Sequence, residues 1–262
     1  EKTPSFTITD DKGLFYCFGC KEGGNVINFI SKYKNLTFRE SLKFLASYLG
    51  IEILYNKNGK TNTFKRFYEI LTICNNFFQE NLYKDKFSYN YIYERIKNIE
   101  VLKEFNVGFC PDDIILRKYL LSKKFSESEI NGSGLFIKNK KNEYFGRFSR
   151  RITFPIFNFS NQIVGFGARS IRESKIKYIN SPESIVFKKS ETLFGLKQNF
   201  DQIKKNEELI LVEGYLDVIS MYQKGIKNSV ATLGTTLSEI QINKMWNFSS
   251  KPYVCFDGDL AG

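Results

Sequence analysis

The chain has 262 residues, 42% of them hydrophobic, with 26 Phe and 15 Tyr, enough to fill a core and exclude global disorder. Lys and Arg outnumber Asp and Glu by 39 to 28, a formal charge of +11. That balance suits a polyanionic partner, since each neutralised phosphate releases condensed counterion. No apolar run approaches membrane-spanning length, so no membrane partner is expected.

Taken in order, residues 1–55 read as one compositional unit. Ser5 to Thr9 alternates like a strand, Asp11-Lys12-Gly13 turns, and Leu14-Phe15-Tyr16 makes a second strand leading into Cys17. Val26, Ile27, Phe29, Ile30 and Tyr33 recur at helical spacing. A second helix follows from Thr37, where Thr37 and Glu40 fit a capping box, and stops at Gly50. The apolar-free run around 56–63 reads as a linker.

Residues 64 to about 105 carry a helical pattern, and 64–202 read as one mixed α/β basic subdomain. Arg151–Ile156 and Gln162–Phe166 flank turn-rich Asn158–Asn161 and predict a hairpin. Residues 203–262 alternate strand and helix: strands at 209–212, 229–232 and 253–256, helices at 216–224 and 237–246, the latter with Thr236 and Glu239 as its capping box. Such alternation predicts a parallel sheet, so the fold class is α+β and multidomain.

Chemistry concentrates in three places. Glu213 follows one predicted strand and Asp257-Gly258-Asp259 another; ligands of parallel sheets bind beyond those carboxyl ends. Glu213, Asp257 and Asp259, with Asp217 nearby, are hard oxygen donors suited to Mg2+ or Mn2+. Arg147, Arg151, Arg169, Lys177 and Lys189 would line a phosphate-gripping groove, with Asn180 free to bond a ribose, phosphate or base edge. Gly165 and Gly167 would admit a nucleotide or template strand close to the backbone. Cys17-Phe18-Gly19-Cys20 is half of a tetrahedral Zn2+ site. Cys74, Cys110 and Cys255, among apolar neighbours, read as reduced structural thiols. Phe6, Phe15, Tyr16 and Phe18 are candidates for a base-stacking platform or for core.

Glu213-Gly214-Tyr215-Leu216-Asp217 with Asp257-Gly258-Asp259 resembles the TOPRIM domain of primases, topoisomerases and some nucleases. The run from Arg147-Phe148 through Lys177-Tyr178-Ile179-Asn180-Ser181-Pro182-Glu183 to Leu193-Phe194-Gly195-Leu196 resembles the RNA-polymerase subdomain of bacterial DnaG-type primases. Glu1-Lys2-Thr3-Pro4-Ser5-Phe6 with the Cys17–Cys20 pair is similar to their zinc ribbon. The resemblance implies a partial zinc ribbon (1–55), a linker (56–63), the basic subdomain (64–202) and the start of a TOPRIM domain (203–262).

It further implies synthesis of short RNA primers on single-stranded DNA from nucleoside triphosphates, a nucleotidyltransferase reaction. Glu213 would work near the 3′-hydroxyl or a metal, Asp257 and Asp259 would hold metal, and Asp217 would support the site electrostatically or contribute to a second metal. A TOPRIM nuclease or topoisomerase-like enzyme is the alternative. A Cys-x-x-His pair is expected before Glu1 and a further acidic residue after Gly262, so both ends read as cut and the isolated chain as inactive. A replicative helicase would bind through a region outside this sequence, and the setting would be the bacterial cytoplasm.

Overall fold

The computed structural model describes residues 4–10, 13–49, 60–234 and 236–258. They fall into two compact units, divided between Lys57 and Asn58.

The first unit is an antiparallel meander of β1 (Phe6–Thr9), β2 (Leu14–Cys17) and β3 (Gly23–Asn25), followed by α1 (Val26–Lys34) and α2 (Phe38–Leu49). Asn25 opens α1, its side chain accepting from the N–H groups of Ile27 and Asn28. The expected box at α2 is present: Thr37 N–H donates to Glu40 Oε2 at 2.8 Å and Glu40 N–H to Thr37 Oγ1 at 3.3 Å. Phe15 packs edge-on against Phe29, at 5.3 Å between ring centres, and Phe6 stacks on Phe15. Phe15 of the expected platform is thus half-buried in the unit's own packing, whereas Phe6, Tyr16 and Phe18 remain exposed.

The second unit opens with α3 (Lys60–Lys84), α4 (Lys86–Ile96) and α5 (Ile99–Glu104). Helix α3 begins inside the segment read as a linker; residues 56–59 lie outside the described ones. The helical stretch is cut where Asp85 and Asn98 cap α4 and α5, each accepting backbone N–H bonds that helix starts leave unpaired. After β4 (Gly108–Cys110), α6 (Asp113–Ser122), α7 (Glu127–Gly132) and the small hairpin β5 (Phe136–Lys138) and β6 (Tyr144–Gly146) come β7 (Arg151–Phe157), β8 (Ile163–Ser170) and β9 (Tyr178–Asn180). The predicted hairpin is β7–β8, and the antiparallel sheet runs β4-β7-β8-β9. Its turn is fastened by Asn158 Oδ1, which accepts from the N–H groups of Ser160 and Gln162.

Then α8 (Leu196–Asn206), β10 (Ile210–Val212), α9 (Tyr215–Gln223), β11 (Ser229–Ala231), α10 (Glu239–Trp246) and β12 (Tyr253–Cys255) build a parallel sheet ordered β11-β10-β12. The cap of α10 differs from expectation: Ser238 and Gln241 form the box, not Thr236 and Glu239. Helix α8 also spans the boundary drawn at 202/203, and buried Asn199 on it donates to the Ser229 carbonyl of β11 at 2.7 Å. Of the three scattered thiols, Cys74 and Cys110 are fully buried, and burial pushes both pKa values up. Cys255 is exposed.

One core joins the two sheets of this unit. Phe154 and Ile156 of β7 cluster with Phe105, Phe194, Val212, Tyr215, Val218 and Ala231. Tyr215 stacks on Phe154 with ring centres 5.2 Å apart and meets Phe194 edge-on at 4.6 Å. Its ring occupies the space above Gly167 of β8, where an added Cβ would lie 2.1 Å from Tyr215 Cζ. Gly165 is covered in the same way, by Ser181. The two glycines thus admit the protein's own side chains, not the nucleotide expected there. Gly167→Ala should lower the unfolding free energy by about 1–3 kcal/mol through overpacking, as read by urea titration.

Candidate active site

Central strand β10 ends at Val212, in register with Cys255 of neighbouring β12, so Glu213 and Asp257 emerge from adjacent carboxyl ends. They touch: the Asp257 N–H donates to Glu213 Oε1 at 2.8 Å. Helix α9 starts immediately afterwards, and Asp217 accepts the Gly214 N–H at 2.9 Å as its first-turn cap. Partial desolvation raises the Asp217 pKa above its usual range. The like charges of Asp257 and Glu213 add to this, against the lowering by the Gly214 N–H and Arg169. Three carboxylates therefore gather at the sheet's carboxyl edge, close enough for Glu213 and Asp257 to act on Asp217, while Asp259 lies outside the described residues.

The donor set is all oxygen, anionic and mutually repulsive, which fits a hard divalent cation such as Mg2+ or Mn2+. Glu213 and Asp257 are the described residues that would hold one, with Asp217 beside them as support. Among the described residues no three ligands are already gathered at metal-binding separations.

The basic residues are arranged around the β7–β8–β9 sheet. Arg169 is buried; its Nε donates to the Tyr91 hydroxyl at 2.8 Å, its Nη1 to the Tyr178 hydroxyl, and its guanidinium lies over the Tyr178 ring. Burial works against its charge, but the two tyrosine oxygens outweigh that and raise its pKa. Arg147 Nε donates to the Asn180 carbonyl at 2.6 Å, and Arg151 Nη1 to the carbonyls of Ile176 and Lys177 at 3.1 and 3.3 Å. Partial burial lowers the pKa of both, and for Arg151 the like charge of Arg147 adds to it. Neither has a carboxylate partner among the described residues. Two crowded guanidinium ions without counterions are suited to phosphate oxygens.

Lys177 is exposed beside this pair. Lys189 sits elsewhere, in a 3-10 turn over Lys189–Glu191 whose carbonyls are tied to Gln241 and Lys244 of α10. Asn180 is committed internally: its Nδ2 donates to the Leu233 carbonyl, and its Oδ1 accepts from the Tyr215 hydroxyl. The residue expected to meet a substrate thus ties the antiparallel sheet to the parallel one. Tyr91 and Tyr178, which hold Arg169, were not among the candidates. Tyr178 stands within the Lys-Tyr-Ile-Asn run, whereas nothing local distinguishes Tyr91 from the other tyrosines of α4.

In the first unit, Cys17 ends β2 and Cys20 lies in the following turn. Hydrogen bonds from the Cys20 backbone and then the Ser5 hydroxyl lower the Cys17 pKa to about 7, in the direction that favours the metal-binding thiolate. Such a pair fits zinc as two of four ligands.

Residues 1–61 match the CHC2 zinc finger family, 77–200 the DNA primase catalytic core, N-terminal domain, and 207–262 the Toprim domain. A DNA primase of Rickettsia felis is 42% identical over all of this chain and 44% of its own length. The chain belongs to the bacterial DnaG-type primase family. A structure of the Aquifex aeolicus primase, zinc-binding and RNA polymerase domains, is 36% identical with a TM-score of 0.71, over 100% of this chain and 64% of that one. A DnaG primase catalytic domain bound to single-stranded DNA is 30% identical with a TM-score of 0.68, over 77% and 66%. The chain thus spans less than half the length of the curated primase relatives it matches. No described helix is long and apolar enough to cross a membrane.

The raised Asp217 pKa has a thermodynamic consequence. Its ionised form is disfavoured in the fold, so ionisation costs stability above the folded pKa, and the cost vanishes below the unfolded one. Asp217→Asn keeps an acceptor for Gly214. Without divalent cations it should raise the urea midpoint at pH 7, and this gain should shrink as pH falls through the raised pKa towards about 4.

Proposed function

We propose that this chain is the zinc-ribbon and polymerase portion of a DNA primase, a nucleotidyltransferase that makes short RNA primers on single-stranded DNA from nucleoside triphosphates. The observation that carries the reading is the juxtaposition across one core. Glu213, Asp217 and Asp257 gather at the parallel sheet's carboxyl edge, and Arg151 and Arg169 stand on the antiparallel sheet with Arg147 in the turn before it, the two sheets joined through Tyr215 and Asn180. The likeness to a primase domain bound to single-stranded DNA supports it.

In this reading Glu213 acts near the reacting 3′-hydroxyl or a metal, Asp257 and Asp259 hold Mg2+ or Mn2+, and Asp217 supports them electrostatically. A bound divalent ion would supply Lewis-acid stabilisation of the phosphates and activate the attacking hydroxyl. Arg147, Arg151 and Lys177 grip phosphates of template or nucleotide, and Arg169 holds Tyr178, which lies within reach of the Asp217 charge, and Tyr91. Cys17 and Cys20 bind Zn2+ together with two further ligands. The partners are template, primer, nucleoside triphosphates and a replicative helicase, in the bacterial cytoplasm.

The test uses the full-length protein with single-stranded template, Mg2+ and ribonucleotides. Oligoribonucleotides should form, and Asp257→Ala should reduce their yield about 100-fold or more. Strand cleavage without ribonucleotide incorporation would overturn the reading in favour of a nuclease. Arg151→Ala should weaken single-stranded DNA binding and shrink the slope of log K against log salt by about 0.7, measured by anisotropy.

A further inference from the structure

A cavity of 330 Å³ opens where the N-termini of α4 and α6 meet the end of β8. It shares no lining residue with the acidic cluster or with the six positions of the basic groove. Phe87, Phe109, Ile115 and Ile171 form apolar walls, and Phe87 and Ile115 remain 62% and 52% exposed. At the rim, Arg150 donates to Asp112 Oδ2 through Nη2 at 2.6 Å and Nε at 3.2 Å. Arg172 is exposed, with no ion pair among the described residues.

Ser88 supplies an independent sign of a missing partner. It lines the cavity and is fully buried, with its N–H bonded to Asp85 Oδ1 at 2.7 Å. Its hydroxyl oxygen is buried and has no hydrogen-bond partner among the described residues. Buried polar groups are nearly always paired, and this hydroxyl, closed off in the present side-chain arrangement, would meet a ligand once the cavity wall yields. A hydrogen-bond chain leads from the same helix to Arg169. Tyr91, one turn along α4, accepts from Arg169 and donates to the Ser170 carbonyl at the end of β8.

We propose that this cavity takes one nucleotide unit, with its base between the apolar walls and its phosphate towards Arg172. Aromatic and apolar walls stack a base of any sequence. Carboxylates and guanidinium ions side by side at the rim complement the mixed donor and acceptor edge of a base. A bare phosphate is disfavoured there by Asp85 and Asp112, and an aliphatic ligand leaves the Ser88 hydroxyl unpaired. The unit could come from a strand leaving the basic groove, which rests on the function proposed above, or from a free nucleotide, which does not.

Two titrations of the full-length protein separate these sources. The first uses a 16-nucleotide single-stranded DNA (about four nucleotides at the least occupy one binding fold) carrying 2-aminopurine at successive positions. The second follows AMP, GMP, CMP and UMP by saturation-transfer NMR. Phe87→Ala and Arg172→Glu lie at the surface, and circular dichroism checks their folding. A strand source predicts one position whose fluorescence is quenched by the parent protein and restored in both variants, with affinity reduced roughly tenfold. A free-nucleotide source predicts monophosphate saturation that both variants abolish, without a position effect in the strand. Ser88→Ala should weaken the same ligand while leaving the unfolding midpoint unchanged or higher.

If neither the strand position nor the monophosphates respond to the variants, the cavity is not a nucleotide site, whatever the primer-synthesis assay shows. If the parent protein fails to bind the strand at all, the proposed function fails, and the monophosphate titration alone decides the cavity.

Discussion

The ring of Tyr215 rests on the backbone of Gly167, and the second unit is organised around that contact. A side chain at Gly167 would occupy the same space as the ring, so β8 must be bare at one position for α9 to approach. Phe154 and Phe194 close around the ring, and its hydroxyl ends on Asn180. Burial of a large aromatic is favourable only if its polar tip is paired, and Asn180 provides the pairing. Because Tyr215 is two residues from both Glu213 and Asp217, the same contact fixes the acidic cluster against the antiparallel sheet.

Charge is distributed to match. Carboxylates gather on one sheet, where Asp257 and Glu213 raise the cost of ionising Asp217, and guanidinium ions gather by the other, where Arg147 adds to the cost of charging Arg151. Neither group neutralises itself. Such frustration is stable only because the shared hydrophobic core holds both sheets in place, and it leaves two surfaces of opposite need: one for a cation, one for phosphate. Arg169 is the intermediary, paired to tyrosines and felt by Asp217.

The first unit solves a different problem with few residues. Its meander is too small to bury its own faces, and β1 is exposed along its length. A metal held by Cys17 and Cys20 with two more ligands would provide the cohesion that hydrophobic burial does not.

Much was legible in the chain because it depends on local pattern. The β7–β8 hairpin, the strand–helix alternation after residue 203, the Thr37–Glu40 cap and the positions of Glu213 and Asp257 all follow from residues close in sequence. The errors share a cause. Asn180, Gly165 and Gly167 looked like substrate contacts because their chemistry permits it, but Tyr215, Ser181 and Leu233 reach them first, from 16 to 53 residues away. The α10 cap shifted from Thr236 to Ser238 because the Gln241 side chain, while closing the cap, also reaches the carbonyls of Lys189 and Thr192. Sequence determined which elements form and which residue types carry charge, since propensity and periodicity act over a few residues. Tertiary structure alone decided which polar groups remain available, because hydrogen-bond partners and excluded volume come from whatever the fold brings near.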